Sequence, residues 1–222
     1  MIKVTLKGDV IKEYEAGTSI AEIAKSIGMG LYKSACGGKI NGNYCDLRTA
    51  VNEDCALEIV TFDEIEGKKT FWHTASHIMA QAVKNLWPET KLAIGPSIAD
   101  GFYYDFDRDG GFTPEDLEKI EAEMKKIVKE DLKLERFTLS REDAIKLMGD
   151  MGETYKVELI ENLPEGAEIS FYKQGEYVDL CAGPHLASTK TVKAFKLTSI
   201  AGAYWHGDEK NKMLTRIYGT AF

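Results

Sequence analysis

The 222-residue sequence predicts an α+β protein in two units, residues 1–62 and residues 63–222. The length exceeds that of one typical domain and is enough for two modest cores. The first unit shows short alternating strands around a single amphipathic helix, whereas the second opens on a long helical pattern and closes on strands. The charged segment DEIEGKK, from Asp63 to Lys69, predicts a linker between them.

The first unit has the order of elements of a β-grasp, or ubiquitin-like, module. The segments IKVTL and VIKEYE alternate around KGD and predict an opening β-hairpin. Ser19 and Glu22 form the pattern of a capping box, and Gly28 suits the end of the same short helix. SACGGKI, YCDL and CALEIVTF predict further strands, so one helix packs across a mixed sheet.

The second unit begins with a helix over TFWHTASHIMAQAVKNL, which must stop before Pro88. TPEDLEKIEAEMKKIVKED predicts a helix capped by Thr113 with Pro114 at its first position, and SREDAIKLMGD predicts another. LERFTLS, ISFYKQGEYVDLC and AFKLTSIAGAYW predict strands. In the aromatic segment FYYDF we expect core positions to alternate, with Tyr104 facing outward.

Composition narrows the possible classes of protein. The net charge is -8, but residues 187–222 contain six basic residues against two acidic ones, so a basic end adjoins an acidic body. No run of eighteen apolar residues exists, and the first residues lack a secretory signal, so we expect a cytoplasmic protein. Cys36, Cys45 and Cys55 show no paired spacing and are expected to be free thiols.

Two short motifs concentrate reactive side chains. His73 and His77 lie four residues apart on one predicted helix face, and Cys181 and His185 flank the turn-forming segment AGP. Together they suit a tetrahedral zinc shell, or zinc held by three of them with an open position for water. Without metal, the same groups suit the orientation and deprotonation of a water molecule. The sequence does not distinguish these possibilities.

Longer segments around these motifs carry a family resemblance. HTASHIMAQAV, YKQGEYVDLCAGPH and FKLTSIAGAYWHGDEKNKMLTRIYGTAF resemble the N-terminal part of the bacterial threonyl-tRNA synthetase family. The first unit resembles the TGS domain of that family, and residues 63–222 resemble its editing domain, including the second additional domain shared with alanyl-tRNA synthetases. Because the aminoacylation and anticodon-binding domains are missing, we expect a fragment of a larger synthetase. His206 stands where the family leads us to expect arginine.

The resemblance implies post-transfer editing, in which serine is hydrolysed from mischarged tRNA(Thr). It assigns water activation and charge stabilisation to His73 and Lys156, and pocket shaping to His77, Cys181 and His185. Asp179 is expected to bind the substrate's ammonium group. Tyr104 is expected to stack on the terminal adenosine, since single-stranded ends are often held on aromatic rings.

The resemblance also implies the partners and cofactors. The partner is the acceptor end of tRNA(Thr) carrying serine, with no membrane, and the full-length synthetase is expected to be a homodimer. No metal is expected, and if zinc is bound its ligands are His73, His77, Cys181 and His185. The basic residues of the C-terminal segment are candidates for tRNA phosphate contacts. The alternatives are a zinc-dependent alanyl-type deacylase and a non-catalytic RNA-binding regulatory module.

Overall fold

A computed structural model describes all of residues 1–222. The first unit contains seven strands and two helices. They are β1 (Ile2–Leu6), β2 (Val10–Tyr14), β3 (Thr18–Ser19), α1 (Ile20–Ile27), α2 (Met29–Ser34), β4 (Ala35–Ile40), β5 (Asn43–Cys45), β6 (Ala50–Val51) and β7 (Cys55–Thr61).

The β-grasp prediction is confirmed. The main sheet has the order β2-β1-β7-β4-β5, with β1 parallel to β7 and the other neighbours antiparallel. The capping box of Ser19 and Glu22 starts α1, which buries Ile20, Ile23 and Ala24 against the sheet. The sequence did not indicate α2, which follows directly after Gly28.

The second unit contains eight strands and four helices, and the α+β prediction is confirmed. They are α3 (Ile65–Leu86), β8 (Lys91–Leu92), β9 (Ser97–Ile98), β10 (Gly101–Asp107), α4 (Pro114–Glu130), β11 (Leu134–Leu139), α5 (Arg141–Asp150), α6 (Thr154–Glu161), β12 (Ile169–Gln174), β13 (Tyr177–Leu180), β14 (Phe195–Tyr204) and β15 (Met213–Ala221). Thr113 and Ser140 cap α4 and α5 as predicted.

The linker predicted over Asp63 to Lys69 is wrong, because α3 already begins at Ile65. Gly67 allows this direct turn out of β7, since a Cβ atom there would lie 1.9 Å from the carbonyl oxygen of Thr61. The helix predicted from Thr70 onward therefore begins earlier, at Ile65. We keep a domain boundary after residue 62 as a proposal, and it falls between β7 and α3.

Helix α3 is the central element of the second unit. It packs on α4 and on the sheet of order β14-β15-β10-β8, and its buried face reaches the first unit through β4. Cys36 of β4 belongs to the same apolar core as Phe71 and Trp72 of α3. A separate sheet, β11-β12-β13, carries the end of β13 toward α3.

No helix of the protein combines the length and the apolar character that a membrane span requires.

Candidate active site

The structure brings the two reactive motifs together. His73 and His77 project from α3, and Cys181 and His185 lie on the loop that follows β13. One ligand atom of each side chain lies within 4.8 Å of those of the other three. The rings of His73 and His185 stack at 4.2 Å between centroids, and His77 meets His185 at the same separation. The four side chains therefore form one compact cluster.

A chain of hydrogen bonds links this cluster. The Nδ1 atom of His73 lies 3.2 Å from the carbonyl oxygen of Pro184, which can only accept, so Nδ1 carries the proton and Nε2 the lone pair. Cys181 Sγ lies 3.4 Å from that Nε2 and 3.2 Å from His185 Nε2, while the Thr74 hydroxyl lies 2.9 Å from His185 Nδ1. We assign the donors in the order Thr74, His185, Cys181 and His73, because this order gives every donor an acceptor.

Burial keeps the cluster uncharged. It lowers the pKa of His73 to about 4 and that of His77 to about 3, and it lowers the pKa of His185 well below its ordinary value. Burial also raises the pKa of the Cys181 thiol to about 12. At neutral pH the site therefore presents three neutral imidazoles and one thiol.

An ion pair lies beside the cluster. Lys156 Nζ lies 2.9 Å from Asp179 Oδ1, and these side chains are 4% and 1% exposed. The hydroxyls of Tyr104 and Tyr177 donate to Asp179 Oδ2 at 2.7 and 2.8 Å. Burial raises the pKa of Asp179, but Lys156 and then His77 outweigh it and hold the pKa below its ordinary value. Asp179 Oδ1 is buried and has no hydrogen-bond partner besides its ion-pair contact with Lys156, and the binding of a substrate ammonium group by Asp179 stays a prediction.

The outward orientation predicted for Tyr104 is wrong. Tyr104 is fully buried and shares the core face of β10 with Phe102 and Phe106, since side chains of a strand alternate between faces. Its ring stacks on Phe106 and offers no face to an adenine. The outward aromatic residue is Tyr103, whose ring carries the Arg216 guanidinium at 3.8 Å.

Several residues of the site were missed from the sequence. Helix α6, which places Lys156, was not predicted, and Lys156 itself was expected only from the family resemblance, because a buried lysine has no local signature that separates it from a solvated one. Tyr177 could have been predicted, because it alternates with Asp179 and Cys181 in the sequence and therefore lies on the same face of β13 as Asp179. Thr74 occupies a spacer position of the histidine motif, where no pattern indicates a role.

His73 is the member of the cluster that reaches an open pocket of about 350 Å³. His77, Cys181 and His185 are buried, whereas His73 is half-buried. The pocket is lined by residues of both units: Tyr44, Glu66, Lys69, Thr70, His73, Pro96, Ser97, Gly183 and Pro184. A ligand in this pocket meets the cluster through His73.

The donor set also fits zinc. Tetrahedral zinc with bonds of about 2.0 to 2.3 Å separates its ligand atoms by roughly 3.3 to 3.8 Å. The Cys181 Sγ distances of 3.4 and 3.2 Å to His73 Nε2 and His185 Nε2 are close to that range. The Nδ1 atom of His77 is buried without a hydrogen-bond partner. The residues therefore fit a zinc ion in donor type, and the two Cys181 separations suit its coordination distances.

The C-terminal basic residues are mostly paired with acids. Arg216 binds Asp105 through two nitrogens, at 2.8 and 2.9 Å. Lys190, Lys196 and Lys212 pair with Asp131, Glu121 and Asp107. His206, found where arginine was expected, binds Glu158 at 2.8 Å on the surface and lies outside the cluster. The basic excess of this segment is thus largely neutralised within the protein.

Comparison with known proteins identifies two domain families in the chain. Residues 2–61 match the TGS domain, and residues 169–218 match the threonyl and alanyl tRNA synthetase second additional domain. All 222 residues align with proteins named threonine–tRNA ligase from Clostridium tetani, Clostridium novyi and Acetivibrio thermocellus, at 65%, 64% and 62% identity. The chain spans about 35% of the length of each of these relatives. The predicted resemblance is thus confirmed, and the chain contains a TGS domain and a threonyl and alanyl tRNA synthetase second additional domain, in a sequence similar throughout to bacterial threonyl-tRNA synthetases.

Proposed function

We propose that this protein hydrolyses the ester bond of serine-charged tRNA(Thr), releasing serine and free tRNA. The observation that carries the proposal is the position of His73, a neutral imidazole at the base of an open pocket in front of a buried cluster. The second additional domain and the similarity to threonine–tRNA ligases support tRNA as the substrate.

A physical requirement explains why such an activity is needed. Serine keeps the hydroxyl group of threonine and lacks only one methyl group. Loss of a methyl group changes binding by about 1 to 3 kcal/mol, which is too little for accurate charging at one site. A second site that admits serine and sterically excludes threonine removes the error after transfer.

The reaction needs a water oxygen that attacks the ester carbonyl carbon. We assign His73 Nε2 to orient this water and to take its proton as the new carbon–oxygen bond forms, with the water replacing the Cys181 thiol as the donor to that lone pair. The bond between the carbonyl carbon and the ribose oxygen then breaks, and the proton passes to that oxygen. With a pKa of about 4, His73 is a weak base, so positioning contributes more than its basicity.

The other residues act around this step. Lys156 supplies positive potential for the oxyanion, and Asp179 holds Lys156 in place through the 2.9 Å ion pair. His77, Cys181 and His185 shape the pocket floor, His77 by packing against the rings of His73 and His185. Cys181 and His185 keep His73 in one tautomer through the hydrogen-bond chain.

A zinc-dependent deacylase of the alanyl type is a second candidate, and the spacing of the four ligand atoms favours it. His73, His77, Cys181 and His185 would hold the ion, and zinc would supply an activated water. The measured zinc content of the purified protein and the effect of a chelator on the rate separate the two candidates.

The test is hydrolysis of serine-charged and threonine-charged tRNA(Thr) by the protein and by His73→Ala. We expect release of serine alone, with a rate lowered at least about 100-fold in the variant. His206→Ala is the matched control, because it removes a histidine outside the cluster and should keep the wild-type rate. Equal release of both amino acids, or full activity in His73→Ala, would contradict the proposal. If the wild type binds charged tRNA without releasing serine, the regulatory alternative is favoured.

A further inference from the structure

The first unit reaches into the site and holds the backbone of His185. The backbone N–H of His185 donates to Asp46 Oδ2 at 3.0 Å, and its carbonyl oxygen accepts from Arg48 Nη1 at 3.0 Å. Both polar backbone groups of one cluster residue are therefore bound by side chains of the TGS domain. These contacts join residues more than 130 positions apart in the sequence.

Arg48 is engaged on all three of its nitrogens. Nε donates to the carbonyl oxygen of Leu134 at 2.9 Å, Nη2 donates to that of Leu186, and Nη1 also binds Asp46 at 2.9 Å. The guanidinium has five N–H groups, so little capacity is left for an RNA phosphate. Burial raises the pKa of Asp46, but Arg48 outweighs this effect and keeps the carboxylate ionised.

Tyr172 links the same pair to the imidazole ring. Its hydroxyl donates to Asp46 Oδ2 at 2.8 Å, and Arg48 lies 5.3 Å from the centroid of its ring. The ring of Tyr172 meets that of His185 edge to face at 4.5 Å. The positions of the backbone and of the ring of His185 thus both depend on Asp46 and Arg48.

We propose that Asp46 and Arg48 are positioning residues of the candidate active site, and that this is one role of the TGS domain. They hold the loop from Cys181 to His185 so that its thiol stays within hydrogen-bond distance of His73 and its imidazole stays stacked on the His73 ring. The catalytic consequence rests on the proposed function, whereas the placement of the loop rests on the contacts alone.

The test compares Arg48→Met, Arg48→Lys and Asp46→Asn with Lys39→Met. Lys39 is the matched control, because it also joins the two units, through Glu64 and Glu66, without touching the loop. We expect kcat for serine release to fall at least tenfold in Arg48→Met with KM changed less than twofold. Arg48→Lys should lie between Arg48→Met and wild type, because lysine keeps the charge but not the planar fork.

A spectroscopic readout tests the positioning without activity. The imidazole nitrogen chemical shifts of His185 and His73 report their tautomers, and they should change in Asp46→Asn and Arg48→Met but not in Lys39→Met. Thermal unfolding and the retained shift of His206 confirm that each variant is folded. If Arg48→Met does not fold, the same measurements are made on Asp46→Asn and Arg48→Lys.

Three results would overturn the inference. A rise in KM at constant kcat would make Arg48 a tRNA contact, and an equal loss of kcat in Lys39→Met would reduce the effect to docking of the two units. Unchanged imidazole shifts in the Asp46 and Arg48 variants would remove the positioning role. If the wild type releases no serine, the proposed function fails by itself, while the imidazole shifts still decide the positioning.

Discussion

The two halves of the candidate site are held in place by different kinds of interaction. His73 and His77 lie one turn apart on α3, where the helical backbone alone fixes their separation. Cys181 and His185 lie on a loop without regular hydrogen bonding, whose shape depends on Tyr172 and on residues of the TGS domain.

This difference indicates which substitutions the site should tolerate and which should disturb it. The helical half is preset by local geometry, so changes in its spacer should be tolerated except at Thr74, whose hydroxyl binds the loop. The loop half is preset by close contacts between distant segments, so changes there should disturb both stability and chemistry. The following four predictions test this contrast, from the largest expected effect to the smallest.

The largest effect should come from the ion pair that lies beside both halves. Lys156→Met leaves the Asp179 carboxylate buried and uncompensated, and we expect the free energy of unfolding to fall by about 3 to 5 kcal/mol. Urea denaturation measures this change. The double variant Lys156→Met with Asp179→Asn should recover much of the loss, because it removes the orphaned charge, and no recovery would show that packing rather than charge is responsible.

In the loop half, Gly183→Ala should be costly. Gly183 has φ of 77°, and an added Cβ would lie 2.2 Å from the Tyr172 hydroxyl oxygen. Backbone strain and overpacking together should lower the free energy of unfolding by about 2 to 4 kcal/mol and also lower the rate of serine release. Gly110→Ala is the matched control, because Gly110 has φ of 82° with no atom near its added Cβ. Equal losses in the two variants would mean that backbone strain alone acts at Gly183.

Acid should weaken the helical half. The ordinary histidine pKa is 6.5, and burial lowers the pKa of His73 to about 4 and that of His77 to about 3. The unfolded chain therefore binds more protons, and stability present above pH 6.5 is lost as the pH falls toward these values. Between pH 7.5 and 5.0 each histidine should contribute a loss of about 1 to 2 kcal/mol.

The check is urea unfolding of the wild type and His77→Gln at both pH values. His77→Gln removes one titrating group, so its stability should fall less with acid than that of the wild type. An identical pH-dependent loss in His77→Gln and wild type would refute the assignment of His77 as a buried neutral imidazole.

The smallest effect should come from the helical spacer. The Ser76 hydroxyl contacts the carbonyl oxygens of His73 and Gly95 at 2.7 and 2.8 Å. Ser76→Ala removes these contacts but favours the helix, so we expect a loss of about 1 kcal/mol or less and a rate of serine release within twofold of wild type. A loss of unfolding free energy as large as that of Gly183→Ala would contradict the proposed difference between the two halves.

Most of the local structure follows from the order of the amino acids alone. The capping boxes at Ser19 and Thr113, the stop before Pro88 and the alternation of β1 and β2 depend on neighbours a few residues away. The four-residue spacing of His73 and His77 likewise needs only a helix. The residues of both motifs were therefore visible as candidates before any tertiary contact was known.

The roles of those candidates depend on contacts between distant parts of the fold. The burial of Lys156 and Asp179 and the inward orientation of Tyr104 depend on which elements pack together. The hold of Asp46 and Arg48 on His185 likewise joins distant segments of the chain. Such contacts leave no period or cap in the sequence, because desolvation and pairing arise only when distant segments meet. The pKa values and tautomers on which the proposed chemistry depends are consequently properties of the fold.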